Sequence, residues 1–384
     1  MSQIRTAQSC ATDARTAATE FHRGLAGPGL SLVIFFCSCD YDLDLLTQEF
    51  KHLFAGVLLV GCTTAGGYGP QGYREHTLTG VGFAGPDYLA VAAQLQILPA
   101  FDPAAARDKI QALRQELETR APWVQSVNTL ALQLIDGLSV KEEIVTRTVQ
   151  NALGAVFMVG GSAGDGMRFQ RTHVFCDGEF HSGRAVLILL ATRLPFHLFM
   201  TQHFSPREER MVVTRADAAQ RLVYELNGRP AAAEYARNAG VDSLDPALFS
   251  HIPVMVKLGG KHYVRSIQQV MPDGALRFYC AIEQGMVLRL ARGENLTQDL
   301  RAQFADIAQA LGEPPQLIIA CDCILRRLEI QNTGLAAEVD ALGRDNHVVG
   351  FATYGEQYRG VHINQTLSGI AFGRKQEDDD ERQA

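Results

Sequence analysis

Short apolar runs alternate with amphipathic stretches along most of the chain, which predicts buried strands connected by helices. Residues 30–36 form the first such run and end in Cys37-Ser38-Cys39-Asp40. Residues 44–54 then show helical spacing, 57–60 are apolar and enter Gly61-Cys62-Thr63-Thr64-Ala65-Gly66-Gly67, and 77–83 read as a third strand. The order returns near the far end. Residues 317–320 lead to Cys321-Asp322-Cys323, a helical stretch contains 335–342, and 347–349 enter Gly350-Phe351-Ala352-Thr353-Tyr354-Gly355-Glu356. Residues 366–372 echo 77–83, and Gly61 to Gly80 and Gly350 to Gly369 both span 19 positions. A looser copy lies between them: strand 130–135, helix 140–153, strand 156–159, Gly160-Gly161-Ser162-Ala163-Gly164-Asp165-Gly166 and strand 184–191. Ser139, with Glu142 three residues on, predicts a capping box for that helix.

The pattern therefore predicts an α/β fold of pseudo-repeated units, each running strand, helix, strand, glycine loop, strand, in mixed sheets. Residues 88–97 add a strand and 103–120 a charged helix. From 196 the periodicity changes: strand 196–204, a strand and turn at 222–230, helix 231–239, and short strands at 253–257, 262–268 and 276–281 separated by glycine turns. This predicts an antiparallel α+β second lobe, with the last unit returning to the first core. The corresponding divisions are an N-terminal helix in 1–29, one domain over 30–226, a second over 227–373, and an acidic tail over 374–384 expected to be disordered.

Composition narrows the class. With 384 residues and 47% hydrophobic content the chain can bury a large core. The net charge of -7 and pI near 5.9 provide no footprint for nucleic acid. The N-terminus lacks the apolar core of a signal peptide, and no run is long enough to insert in a membrane, so a cytoplasmic location is expected. The 8 cysteines are then expected as reduced thiols or ligands rather than disulfides. GxxxxGK[ST], a GxGxxG in the right unit and GxSxG are all missing, so no catalytic residue is assigned and a non-enzyme is expected.

The three glycine loops and the ending GFATYGEQYRGVHINQTLSGIAF resemble the FIST sensory family, over roughly 30–372. A narrower resemblance is to the nitric-oxide-sensing haem proteins within that family, through Thr201-Gln202-His203-Phe204, Tyr263-Val264-Arg265-Ser266-Ile267 and Cys321-Asp322-Cys323-Ile324-Leu325-Arg326-Arg327. It implies a haem b cofactor, nitric oxide as the signal, and a partner histidine kinase or cyclic-di-GMP enzyme, since the chain shows no output module of its own. A homo-oligomer is compatible with this picture.

The resemblance favours His203 as the axial ligand, with His173 and His181 as alternatives, and Arg265, Arg326 and Arg327 as partners for propionates. Gly161, Ser162, Asp165, Tyr354, Glu356 and Asn364 complete the expected cofactor site. Cys321 and Cys323 project to one side of a strand and offer two thiolates. A zinc site completed by Cys37 and Cys39 is an alternative, although Cys-x-Cys lacks the usual finger spacing. Two further readings stand beside the haem sensor. One is a haem-free module holding a small polar metabolite, such as an amino acid, through Arg265, Arg326 and glycine-loop amides. The other is an enzyme with Cys321 or Cys323 as nucleophile.

Overall fold

The computed structural model describes residues 3–244 and 246–375, so most of the acidic tail, 376–384, lies outside the described residues. The first unit comprises β1 (Gln3–Ser9), α1 (Ala14–Leu25), β2 (Leu30–Ser38), α2 (Leu43–Leu53) and β3 (Leu58–Thr64). It continues with the hairpin β4 (Gly67–Gly69) and β5 (Gly72–Arg74), and closes with β6 (Leu78–Ala84). The second repeats this order with β7 (Tyr88–Gln96), α3 (Pro103–Arg120), β8 (Thr129–Ile135), α4 (Glu142–Leu153) and β9 (Met158–Ser162). Its hairpin is β10 (Val174–Cys176) and β11 (Glu179–His181), and its closing strand β12 (Arg184–Thr192).

The third unit opens with β13 (Phe196–Thr201) and is then interrupted by the second lobe. That lobe contains β14 (Phe204–Asp217), β15 (Leu222–Leu226), β16 (Arg229–Pro230), α5 (Ala231–Ala239), α6 (Pro246–His251), β17 (Val254–Leu258), β18 (Lys261–Arg265), β19 (Ile267–Val270), β20 (Leu276–Phe278) and β21 (Val287–Gly293). The unit resumes with α7 (Leu296–Leu311), β22 (Leu317–Cys323), α8 (Ile324–Asn332), α9 (Ala336–Asp345) and β23 (Val348–Thr353). The hairpin β24 (Glu356–Tyr358) and β25 (Val361–Ile363) and the closing strand β26 (Leu367–Phe372) complete it. The expected α/β class and antiparallel lobe are both present. Segment 1–29 holds a strand, β1, as well as its helix, and the expected boundary at 226/227 falls between two paired strands, β15 and β16.

Each unit exchanges its hairpin with a neighbour. β4 of the first unit pairs with β23 of the third, β24 of the third with β9 of the second, and β10 of the second with β3 of the first. The exchange closes a cycle, which gives the three sheets pseudo-threefold order around one core. Alternate residues of the central strands face that core: Leu32, Ile34 and Phe36 of β2, Leu130, Leu132 and Leu134 of β8, and Leu317, Ile319 and Cys321 of β22. The other face of each strand packs under its own helices, as Val33, Phe35 and Cys37 do against Phe21 and Phe50.

The equal glycine spacing has a steric cause. A Cβ at Gly61 or Gly80 would collide with the carbonyl oxygen of Phe35 or Ile34 on β2, which lies between their two strands. Gly350 and Gly369 stand in the same way against Ala320 and Ile319 on β22. In the second unit Gly160 keeps this role, but Leu187 stands opposite Gln133 on the other side, which is why that copy looks looser. Its expected capping box does not form: Lys141 is the N-cap of α4 without a side-chain cap, Val140 adopts a φ of 54°, and Ser139 Oγ accepts the Lys141 backbone N–H at 3.3 Å instead of one inside the helix.

Candidate functional site

The three glycine loops do meet, and they meet by backbone pairing. Ala352 N–H donates to Gly66 O at 2.7 Å, Gly164 N–H to Thr63 O at 3.0 Å, and Tyr354 N–H to Ser162 O at 3.1 Å. Little room is left between them. A Cβ at Gly161 would sit 2.6 Å from the Phe351 ring and 3.2 Å from Cys321 Sγ, so this glycine serves the packing of the core. Ser162 Oγ accepts from Gln357 Nε2 at 2.9 Å. Asp165 accepts the backbone N–H groups of Phe169, Gln170 and Arg171 at 2.8 to 2.9 Å and the hydroxyl of Tyr354. Burial works against its charge, yet these donors outweigh it and hold the carboxyl below its ordinary range. The donors also use up its acceptor capacity, so Asp165 organises the loop.

Glu356 is wholly buried where the third unit's hairpin enters the second sheet. Its carboxyl accepts from the hydroxyls of Thr353 and Thr366, the latter at 2.5 Å. Burial pushes it up to about 8, so it carries a proton at neutral pH. His362, beside it on the same hairpin, is pushed down to about 4 by burial and is neutral. Asn364 Oδ1, His362 Nε2 and Gln357 Oε1 are buried without partners in this pocket of polar atoms.

A second group gathers where α8 meets the inserted lobe. Arg326 is fully buried; its Nε donates to Asp322 Oδ1 at 2.9 Å while Tyr68 donates to Asp322 Oδ2 at 2.6 Å. One turn further, Glu329 Oε1 lies 2.9 Å from His203 Nε2, and the imidazole rests on Phe204 with ring centroids 4.3 Å apart. Gln202 ties this segment to β18, donating to His262 O at 2.6 Å; Arg265, three residues on along that strand, donates from its Nη1 to His362 O at 2.8 Å. His203 Nδ1, Glu329 Oε2, Arg326 Nη1 and Arg265 Nε are all buried and unpartnered. Native interiors rarely leave such groups without water or a ligand. Arg327 points elsewhere, its guanidinium 3.7 Å from the centre of the Tyr73 ring.

This donor set suits haem in its chemistry. It offers an imidazole with one free ring nitrogen, and α8, which holds that imidazole through Glu329, also carries the unpaired Nη1 of Arg326. His203 has no exposed side-chain surface, so a macrocycle would occupy space the protein now fills. The alternatives lie apart: His173 is half-buried and His181 pairs with Glu179 at 3.8 Å.

The cysteines are placed differently from the expectation. Counted from the glycines, Cys37 pairs with Thr63 and Asp322 with Ala352, so Cys37 corresponds to Asp322, and Cys321 to Phe36. The two Cys-x-Cys pairs are therefore out of step by one residue, which puts Cys37 under the helices and Cys321 in the shared core. Among the described residues no three His, Cys, Asp or Glu side chains stand close enough to hold a metal, and the four-thiolate arrangement does not form. Burial raises the thiols of Cys321 and Cys323 well above their ordinary range, which disfavours the thiolate a nucleophile needs.

Sequence reasoning passed over a larger feature. A cavity of about 470 Å³ opens between the glycine loops and the inserted lobe, lined by Phe169 and Tyr354 on one side and by Arg221, Arg277, Phe278 and Tyr279 on the other. Its residues are scattered from Gly137 to Tyr354, and no local motif marks them. Among the described residues no helix is long and apolar enough to cross a membrane.

Comparison with known proteins agrees with the arrangement. No curated protein matches the chain. A solved structure, cyanuric acid hydrolase from A. caulinodans, is similar over 97% of this chain and 100% of that one, at 10% identity and a TM-score of 0.36, too slight to carry anything across. The FIST N domain description matches residues 31–229 and the FIST C domain description residues 231–359, meeting inside the inserted lobe. The chain thus belongs to the FIST family of sensory, ligand-binding domains in signal transduction.

Proposed function

We propose that the chain is the input half of a two-protein signalling pair, taking up nitric oxide on haem held at His203 and regulating a separate histidine kinase or cyclic-di-GMP enzyme. The observation that carries this reading is the free ring nitrogen of a fully buried His203 held by Glu329 of α8, the helix that also carries the unpaired Nη1 of Arg326. Haem, when bound, supplies the iron that takes up the gas. The chain's own residues hold and orient. Glu329 fixes one nitrogen of the imidazole and leaves the other as the ligand, in the way second-shell carboxylates orient metal-binding histidines. Arg326, tied to Asp322 on β22, links that site to the strand at the centre of the third sheet. A change at His203 is thereby passed to α8, an element at the surface between unit and lobe, and shifts the population of the partner-binding state.

The protein purified with haem supplied should show a stoichiometric Soret band that moves on adding nitric oxide to the ferrous form, and His203→Ala should abolish or displace it. Absence of the band overturns the haem reading and leaves its haem-free form, in which the unpaired arginine N–H groups hold a small carboxylate metabolite such as an amino acid. In that case thermal melts in the presence of single amino acids should show stabilisation that Arg326→Met removes.

A further inference from the structure

We propose that the cavity between the glycine loops and the inserted lobe is a second ligand site, separate from His203, that takes a flat aromatic carboxylate. Three observations converge on it. Its walls are aromatic on both sides: Phe169 is stacked on Tyr354 with ring centroids 4.4 Å apart and 21° between planes, and Tyr279 lines the cavity from the lobe. Its two cations differ. Arg221 is already neutralised by Glu142 and Glu143, the second at 3.0 Å, and donates to Tyr279 O at 2.6 Å. Arg277 has a buried Nε without a partner, and no carboxylate of the described residues pairs with it. An unpaired guanidinium beside aromatic faces selects a carboxylate for its fork and a ring for the walls.

The third observation is backbone strain. Of the eight non-glycine residues with positive φ among the described residues, three line this one cavity: Val140 at 54°, Phe169 at 51° and Arg221 at 57°. Val140 is β-branched, for which this conformation is costly, and strained residues gather where a binding geometry is being held. The cavity also draws its lining from the second unit, from Tyr354 of the third, and from the lobe. An occupant would bridge all three and hold the lobe against the core.

The test uses the full chain without haem, titrated by calorimetry with 2-naphthoate and with the uncharged 2-naphthamide. The acid should bind at least ~10-fold more tightly than the amide, and Arg277→Gln should erase that difference while Arg277→Lys restores part of it, as befits a charged hydrogen bond. Arg277 meets Leu222 and Gln269 only along the strands, so its side chain is dispensable for pairing. No binding of the acid at millimolar concentration, equal affinity of acid and amide for the unaltered chain, or an unchanged acid affinity in Arg277→Gln overturns the proposal. His203→Ala should bind the acid as the unaltered chain does, so failure here and failure of the haem reading remain distinguishable.

Discussion

Replacing Arg326 by methionine removes the charge from the largest fully buried side chain while keeping most of its volume. Asp322, only 2% exposed, then retains the Tyr68 hydroxyl as its one charge-stabilising contact. Breaking one side of a buried ion pair costs about 3–5 kcal/mol, because the remaining charge stays desolvated without its counter-ion. The paired change Asp322→Asn with Arg326→Met leaves no charge behind, and replacing both partners is often close to neutral, so the double variant should lie within about 1–2 kcal/mol of the unaltered chain. The double variant is then about 2–3 kcal/mol more stable than Arg326→Met alone, so the two changes are far from additive. Urea unfolding followed by far-ultraviolet circular dichroism reads this as a shift in midpoint at constant slope. Fluorescence of Trp123, the single tryptophan, placed in the second unit, should give the same transition if the units unfold together. A loss below about 1 kcal/mol for Arg326→Met, or a double variant equal to the sum of the singles, refutes the claim that this pair ties α8 to the third sheet.

Three further outcomes follow from the same geometry. Glu356, raised to about 8 by burial, binds more protons folded than unfolded between its ordinary value and pH 8; its contribution is present at low pH and lost as pH rises through 8. Glu356→Gln should therefore gain stability relative to the unaltered chain by up to about 1 kcal/mol per pH unit across that window, and denaturation at pH 5 and pH 8 showing equal differences would contradict it. Gly369→Ala should cost about 2–3 kcal/mol, since the added methyl collides with the Ile319 carbonyl oxygen and meets the Phe199 ring at 3.0 to 3.1 Å. A midpoint unchanged in Gly369→Ala would remove the steric account of the repeated glycines. In native protein an aromatic disulfide reagent should label exposed Cys10 quickly and spare Cys321 and Cys323, and rapid labelling of the latter pair would revive the nucleophile reading.

The units were legible because burial writes a period into the sequence. Helix 103–120 and helix 231–239 match the described α3 and α5 to the residue, and the strands of all three copies lie within a few residues of their expected places. Pro206 and the polar residues beyond it obscured β14, which continues through a bulge between Pro206 and Arg210. The glycine loops were less legible. All of Gly61 to Thr64 is strand, and the pattern does not show the hairpins that follow, because strands of three residues carry too little of it. Of the expected site residues, His203 comes together with Glu329 on the helix that carries Arg326, Arg265 stands instead at the His362 carbonyl, and Gly161 and Asp165 are absorbed into packing and loop structure.

The sequence by itself determined that the chain carries three related units and that glycines recur at equal spacing in two of them, since both are written in the order of side chains along the chain. Only the tertiary structure decided the cyclic exchange of hairpins and the fate of the two Cys-x-Cys pairs. Strand side chains alternate in facing, so an offset of one residue between copies sends Cys37 beneath the helices and Cys321 into the core. Nothing local in either tripeptide records that offset; it becomes visible only once the strands are paired.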